Sequence, residues 1–399
     1  MTKQNGLKRA AIAIATPVLT FAGAGVRAVL APLSMAIARF APPQPLPNSV
    51  LHISYMVHIP FHTVAHLREA GVPADYLAIG TSPHWSQCDF NFRPSPIDPI
   101  RAFQEFWWLW RVVARYETVH AHFMFNLSRN GWELPVLKRL GRSLVAHFRG
   151  CEARDRTRNM ALHPDVNICQ ACDHDPYICR TPSAVTRRDL ARRYSDATLV
   201  TTPDMRDFMP EAVHFPFFAP WVAVPARHTP APGRPFTIVH LTNQPGIEGT
   251  AQIIAAVERL RGEGFAIDFK WLRDLPHGEA LAALADADLA VGKMKMGYYA
   301  NAQIESMALG VPTVTFVREE FMTDALRRSG FIFTTLPDLE ATLRHYMENP
   351  SELESKRRVA RESILELHDN KMLTARLKAL YDSLRRPDPL PVAQMRPQC

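Results

Sequence analysis

A proline-rich break past the middle of the chain constrains its fold more than any other feature. Between Phe215 and Pro235 the sequence is dense in proline and shows no apolar period, as a connector between domains does. Before the break, strand-length apolar runs lie at Val50 to Tyr55, Asp75 to Ile79, Thr118 to His122, Ser143 to His147 and Ala197 to Thr201. Helical patterns at Thr63 to Ala70 and Arg101 to Arg115 alternate with them, the second aromatic enough to be expected buried. After the break the alternation restarts, with strands at Phe236 to Leu241, Phe265 to Leu272, Leu289 to Val291 and Pro312 to Val317. Its helices are expected at Gly278 to Ala285, at Ala302 to Leu309 and in a segment capped by Thr250 with Ile253, Ile254, Val257 and Leu260 as its apolar stripe. Strands alternating with helices make a parallel sheet covered on both faces. With 399 residues the chain is long enough for two such domains, so the expected fold class is α/β, two doubly wound domains facing a cleft. Ligands then belong at the carboxyl ends of the strands.

The boundaries drawn from this pattern are an apolar segment and connector over 1–47 and an N-terminal domain over 48–221, with an insertion at 151–180. A linker over 222–235, a C-terminal domain over 236–370 and a final helix with tail over 371–399 complete it. A composition of 47% hydrophobic and 21% charged residues is that of a folded protein and excludes wholesale disorder. The net charge of +7 implies attraction to anionic partners. No zinc-finger, homeodomain or RNA-binding signature accompanies it, so nucleic acid is not an expected partner.

The first forty residues ask for an apolar setting. Ala10 to Val26 carries no charge, Arg27 interrupts, and Ala28 to Ala38 is apolar again, flanked by Lys3, Lys8, Arg9 and Arg39. Neither half reaches the ~20 residues of a spanning helix, though the whole would if Arg27 faced protein. Three readings fit: a membrane-associated segment, a signal peptide ending near Ala22 to Gly25, or a helix packed on the protein itself. The stiff stretch APPQPLPNS then separates this segment from the first domain.

The stretch from His240 to Val314 resembles the donor half of retaining glycosyltransferases of family four. It shares a strand ending in a Gly-containing loop, a Pro-His-Gly-Glu turn, an Ala-Asp strand and, most specifically, IESMALGVP. SLVAHFRGCEAR and ATLVTTPDM resemble the same family's acceptor-side strands, so the resemblance covers roughly residues 48 to 375. It implies the GT-B fold, two Rossmann-like domains, with the nucleotide on the C-terminal one and the acceptor on the other. It also implies a last helix, here Lys371 to Arg385, that crosses back to the first domain.

Glu305 matches the glutamate to which the family assigns the ribose hydroxyls, and a carboxylate can accept from both. The loop Thr242 to Gly249, with Gly246 inside it, ends at a helix start whose free N–H groups favour a phosphate. Where the family places an arginine and a lysine on the diphosphate, this sequence has Thr242 and Glu248. A carboxylate about 4 Å from a phosphate charge costs ~1 kcal/mol in water and ~4 at an effective dielectric of 20. Glu248 must therefore point away, or Lys293, Lys295 or Arg273 must supply the missing charge. The first glutamate of the family's Glu-x7-Glu pair falls on Gly297, and Gly297-Tyr298-Tyr299 resembles a subset in which backbone N–H groups take over. His147 matches the histidine placed beside the donor sugar and Arg149 is positioned to assist the departing diphosphate. His120 and His122 share one face of a strand, with His122 nearer its carboxyl end.

Cys151, Cys169, Cys172 and Cys179 fall in one short stretch, where four thiolates could hold a structural zinc, with His163 or His174 as substitute ligands; an iron-sulfur cluster is the lesser alternative. Clustering in a large chain suits a reducing compartment better than a disulfide scaffold. Arg180, Arg187, Arg188, Arg192 and Arg193 follow, as a lipid-facing or a solvated face. The expectation is a retaining glycosyltransferase that needs no cofactor for transfer. It would move a sugar from a nucleotide-diphosphate donor to a cell-envelope glycan or lipid-linked acceptor, in the cytoplasm at the inner membrane face. The alternatives are a GT-B scaffold that has lost transfer, motivated by Thr242, Glu248 and Gly297, and a cysteine-ligated metal protein.

Overall fold

The computed structural model describes residues 3–82, 86–123, 127–128, 130–173, 178–179, 181–218 and 233–385, with backbone alone for 3–19 and 181–184. His174, Arg180 and most of the expected linker lie outside the described residues. The chain divides into two compact units. One comprises Met1–Phe148, Arg187–Leu199 and Thr374–Cys399, the other Arg149–Thr186 and Val200–Leu373. The cysteine-bearing segment thus belongs with the C-terminal domain, and most of the last helix, Asn370–Leu384, with the first unit.

The first sheet has seven strands: β1 Leu46–Tyr55, β2 Ala74–Ile79, β3 Phe90–Phe92, β4 Tyr116–His122, β5 Ser143–Phe148, β6 Ala197–Val200 and β7 Val213–His214. Their order is β3-β2-β1-β4-β5-β6-β7, and β3 through β5 pair in parallel. A strand covered on both faces reads as an unbroken buried run, and β1 is buried from Ser49 to Ser54. The chain leaves β1 toward β2 and β3, then crosses over to β4 on the other side. The topological switch point therefore lies between the carboxyl ends of β1 and β4, the place where doubly wound sheets take ligands. The helix expected over Arg101 to Arg115 forms as Asp98–Arg111 followed by a 3-10 turn, and it is not buried throughout. Ala102, Glu105 and Leu109 turn inward, whereas Phe103 is 57% and Trp107 54% exposed.

The second sheet, β8 Phe236–Leu241, β9 Ile267–Leu272, β10 Leu289–Val291, β11 Thr313–Thr315 and β12 Phe331–Phe333, runs in the order β12-β11-β10-β8-β9 and is parallel throughout. Ile238, Val257, Leu289, Val314 and Ile332 meet in its core, each burial worth about 1.5–3 kcal/mol. Here the switch point falls between β8 and β10. Thr250 is the first residue of its helix rather than the cap; Gly249, at φ +88°, turns the chain into it after a short helical turn over Pro245–Glu248. The Thr250 hydroxyl is drawn inward instead, 2.8 Å from Nε2 of the buried His240.

Candidate active site

Both loops that flank the second switch point carry the expected donor residues. The loop after β10 leads through Lys293, Lys295 and Gly297 to the Asn301–Ala308 helix, and Glu305 sits in that helix with 18% of its side chain exposed. Its Oε1 accepts from His277 Nε2 at 3.0 Å, while its Oε2 meets no donor among the described residues. His277 opens the helix His277–Ala285, and the hydrogen bond to Glu305 raises its pKa above the usual imidazole value, against a smaller opposing effect of burial. The Pro-His-Gly-Glu turn marked this position in the sequence, but nothing there tied it to a carboxylate 28 residues away.

The charges on the phosphate side are redistributed. Glu248 is ion-paired with Lys293, so this carboxylate does not stand alone in the loop. Thr242 is buried, its hydroxyl accepting from Gln244 N at 2.9 Å. Lys295 is 3% exposed, donates to the carbonyls of Gly246, at 2.7 Å, and Gln170, and has its pKa lowered by burial. Gly246 cannot be another residue, because a Cβ would lie 2.0 Å from the Ala171 carbonyl oxygen. Its N–H donates to Asp173 Oδ2 at 3.2 Å. A carboxylate from the cysteine segment therefore occupies an N–H group that the sequence assigns to a phosphate. Arg273 pairs instead with its neighbour Asp274.

Gly297 adopts φ +80°, and a Cβ there would meet Arg318 Cγ at 2.7 Å. A side chain at this position would be strained and would have to displace Arg318. Arg318, which sequence reasoning missed, lies over Gly297, bonded to Asp207 at 2.8 Å and His163 at 2.6 Å. These residues, with Lys295 and Met296, line a small cavity of about 20 Å³. Tyr298 and Tyr299 face inward: their rings lie 4.5 Å apart, burial pushes the Tyr298 phenol up to about 12, and Tyr299 OH bonds His368 at 3.1 Å. Tyr298 thus shapes the loop from within the core.

His147 is the carboxyl-end histidine of β5 in the first unit, and Arg149 opens the second. Arg149 is buried, its backbone N–H and that of Gly150 both donating to the Glu152 carboxylate. His147 belongs to a network at the first switch point. His52 Nδ1 lies 2.8 Å from His122 Nε2, and His52 Nε2 lies 3.3 Å from Tyr381 OH. Tyr381 OH also lies 2.7 Å from His120 Nδ1, and His120 Nε2 3.1 Å from His147 Nδ1. All five side chains are buried. Ligand atoms of His52, His120 and His122 gather within 4.8 Å, but both nitrogens of His52 and His120 already serve the network, so an ion would have to break it.

Cys151, Cys169 and Cys172 pack with Ile168, Ile247 and Met296, and Cys179 is close enough to Cys169 for their charges to interact. Cys169 Sγ accepts from Asn159 at 3.3 Å. Burial pushes the Cys151 thiol up to about 11, so a metal would have to supply the energy of deprotonation.

No protein-family model matches the sequence, and no curated protein matches it. Solved structures match its fold. A sucrose-phosphate synthase from Thermosynechococcus elongatus aligns at TM-score 0.57 and 12% identity over 84% of this chain and 99% of its own. Anabaena Alr3699/HepE, in complex with UDP and glucose, aligns at 0.58 and 11% over 84% and 99%. The Thermobaculum terrenum O-GlcNAc transferase aligns at 0.51 and 13% over 89% and 73%. The chain has the GT-B fold, and these structural neighbours are glycosyltransferases.

Proposed function

We propose that the chain is a retaining, hexosyltransferase-like glycosyltransferase of the family-four type. It would move a sugar from a nucleotide-diphosphate donor to a cell-envelope glycan or lipid-linked acceptor, at the inner face of the membrane. The observation that carries this reading is Glu305, a partly exposed carboxylate at the switch point of the second sheet with one oxygen oriented by His277 and the other open to a ribose hydroxyl. In this reading the acceptor oxygen bonds to the anomeric carbon as the bond to the donor phosphate breaks, and the departing phosphate takes the acceptor proton. The protein supplies positioning and charge stabilisation. In this reading His147 stabilises developing charge and Arg149 assists the departing diphosphate, while Lys295 would reach the diphosphate only on leaving the Gly246 and Gln170 carbonyls. Cys151, Cys169, Cys172 and Cys179 would hold a structural zinc without a part in transfer.

Asp173 on the Gly246 N–H favours a second reading, a scaffold whose donor site is closed by its own chain. Calorimetry of the protein against UDP, GDP and common nucleotide sugars separates the two. Binding of one nucleotide class, weakened at least ~10²-fold in Glu305→Ala by loss of charge-assisted hydrogen bonds of ~1.5–3 kcal/mol each, supports transfer. A folded protein that binds none of them is the scaffold. Elemental analysis of wild type and Cys172→Ser tests the zinc.

A further inference from the structure

From Thr20 onward the N-terminal helix Lys3–Phe40 leaves most of its large apolar side chains exposed. From Thr20 to Phe40 it has a mean hydropathy of 1.6, long and apolar enough to cross a membrane, yet only Gly23, Leu30, Ser34 and Ala38 of that stretch are buried. The stripe it turns toward the protein holds Arg27 and Ser34 beside Gly23, Leu30 and Ala38. Arg27 donates to Asp98 at 2.7 Å and to Glu105 at 2.9 Å, and Ser34 accepts from Trp110 Nε1 at 3.2 Å. Gly23 lets the helix approach, since a Cβ there would lie 2.0 Å from Asp98 Oδ2. The outward side carries Phe21 at 83%, Val29 at 68%, Leu33 at 46% and Phe40 at 79% exposure. A water-facing helix arranges these the other way round.

The supporting helix presents an exposed apolar stripe of its own. In Asp98–Arg111, Ile100, Phe103 and Trp107 recur at helical spacing and all are exposed, and the next position of the stripe is the exposed Arg111. The pairings of 27 with 98 and 34 with 110 make the two helices run in the same direction, so their last turns lie together. At that end Arg39, Arg111 and Arg115 are all exposed. Two apolar stripes ending in basic side chains match the acyl-to-headgroup boundary of an anionic bilayer, where rings enter the acyl region and arginines meet phosphates.

We propose that these two helices form a monotopic membrane-docking face that lies along an anionic bilayer rather than crossing it. Crossing would pull Arg27 away from Asp98 and Glu105 and leave Glu105, which is fully buried, without that partner. The link from this face to a lipid-linked acceptor rests on the transferase reading; the face itself does not.

The test is flotation of the full chain with vesicles of phosphatidylglycerol and phosphatidylcholine, together with quenching of tryptophan fluorescence by lipids brominated at shallow or deep acyl positions. The chain is expected to float, with the shallow bromines quenching most, as fits a depth of ~5–10 Å. Phe103→Ser with Trp107→Ser should abolish flotation. Joint replacement of Arg39, Arg111 and Arg115 by Gln should weaken binding to anionic vesicles by ~10²-fold and leave binding to neutral ones unchanged. A chain that stays soluble beside the vesicles, or quenching greatest with deep bromines, overturns the proposal. So does a dimer in sedimentation that Phe103→Ser with Trp107→Ser turns into monomer, which would make the face a contact between copies. Nucleotide binding retained in these variants keeps any failure here separate from failure of the transferase reading.

Discussion

Replacing Arg27 by methionine removes the charge that ties the N-terminal helix to the protein while keeping most of the stem. Arg27 is 11% exposed and makes four hydrogen bonds, two to Asp98 and two to Glu105. Breaking a buried ion pair costs about 3–5 kcal/mol when the remaining charge is stranded. Here the remainder is only partly stranded. Asp98 is 15% exposed and can rehydrate, and Glu105 keeps Arg101 Nε at 2.9 Å and Trp132 Nε1 at 3.1 Å. The expected cost is therefore ~2–3 kcal/mol, which at ~2–4 °C per kcal/mol for a unit of this size lowers Tm by about 4–12 °C. Differential scanning calorimetry of the first unfolding transition reads it. Adding Glu105→Gln should recover part of the loss, a coupling of at least ~1 kcal/mol in a double-mutant cycle. An Arg27→Met variant that melts within about 1 °C of wild type, or strict additivity with Glu105→Gln, would refute the docking of this helix through Arg27.

Asp173→Ala should tighten binding of the nucleotide diphosphate about tenfold by calorimetry, since it removes a carboxylate from the Gly246 N–H; charge repulsion of ~1–4 kcal/mol at about 4 Å sets the scale. Gly297→Ala should destabilise the second unit by about 2 kcal/mol in urea unfolding, because φ +80° costs a Cβ residue ~1–2 kcal/mol before Arg318 has moved. The His277 pKa is raised by Glu305, so their ion pair is fully formed below the ordinary histidine value and is lost as pH rises through the higher folded one. Donor affinity should consequently improve from pH 6 to pH 8, by at most about fivefold for a pair this exposed, and His277→Asn should flatten the profile. Tyr381→Phe should leave the fold intact and change the imidazole nitrogen shifts of His147 in NMR spectra, since it cuts the hydrogen-bond chain two residues away from it.

The long strands were legible because a strand buried on both faces is written as an unbroken apolar run. β1, β2, β4, β5, β8 and β10 lie where the sequence puts them, within a few residues. β3, β7 and β12 are two or three residues long and too short for a period to register, whereas the equally short β10 and β11 were legible from the helices that alternate with them. The Asp98–Arg111 helix was misjudged as buried because aromatic content signals an apolar setting without saying whether protein or another medium provides it. At the candidate site, Glu305 was visible through its local motif. The partners that decide its chemistry were not, since His277 with Glu305, Glu248 with Lys293 and Asp173 with Gly246 meet only through tertiary folding. Glu248 looked like an obstacle to a phosphate only while its own cation was unknown.

Both sheets carry buried histidines on strands that flank the switch point, against the apolar rule for strands covered on two faces. β8 carries His240, which bonds the Val291 carbonyl of β10 at 2.8 Å as well as Thr250, and burial lowers its pKa. β1 and β4 carry His52, His120 and His122, where leucines would pack at no desolvation cost. The first network offsets that cost with hydrogen bonds: the order His122, His52, Tyr381, His120, His147 links each side chain to the next through one hydrogen bond. A neutral imidazole donates from one nitrogen and accepts at the other, whereas the Tyr381 hydroxyl has one donor and two acceptor sites, so it either passes the direction of the chain on or accepts from both His52 and His120. The tautomer of His147 is therefore coupled, through His120, to the way the Tyr381 hydroxyl is turned. Tyr381 stands at the middle of that chain although it comes from the far end of the sequence. The last helix therefore has chemical as well as packing consequences for the first unit, because removing it would leave His52 Nε2 and His120 Nδ1 without the hydroxyl that relates them.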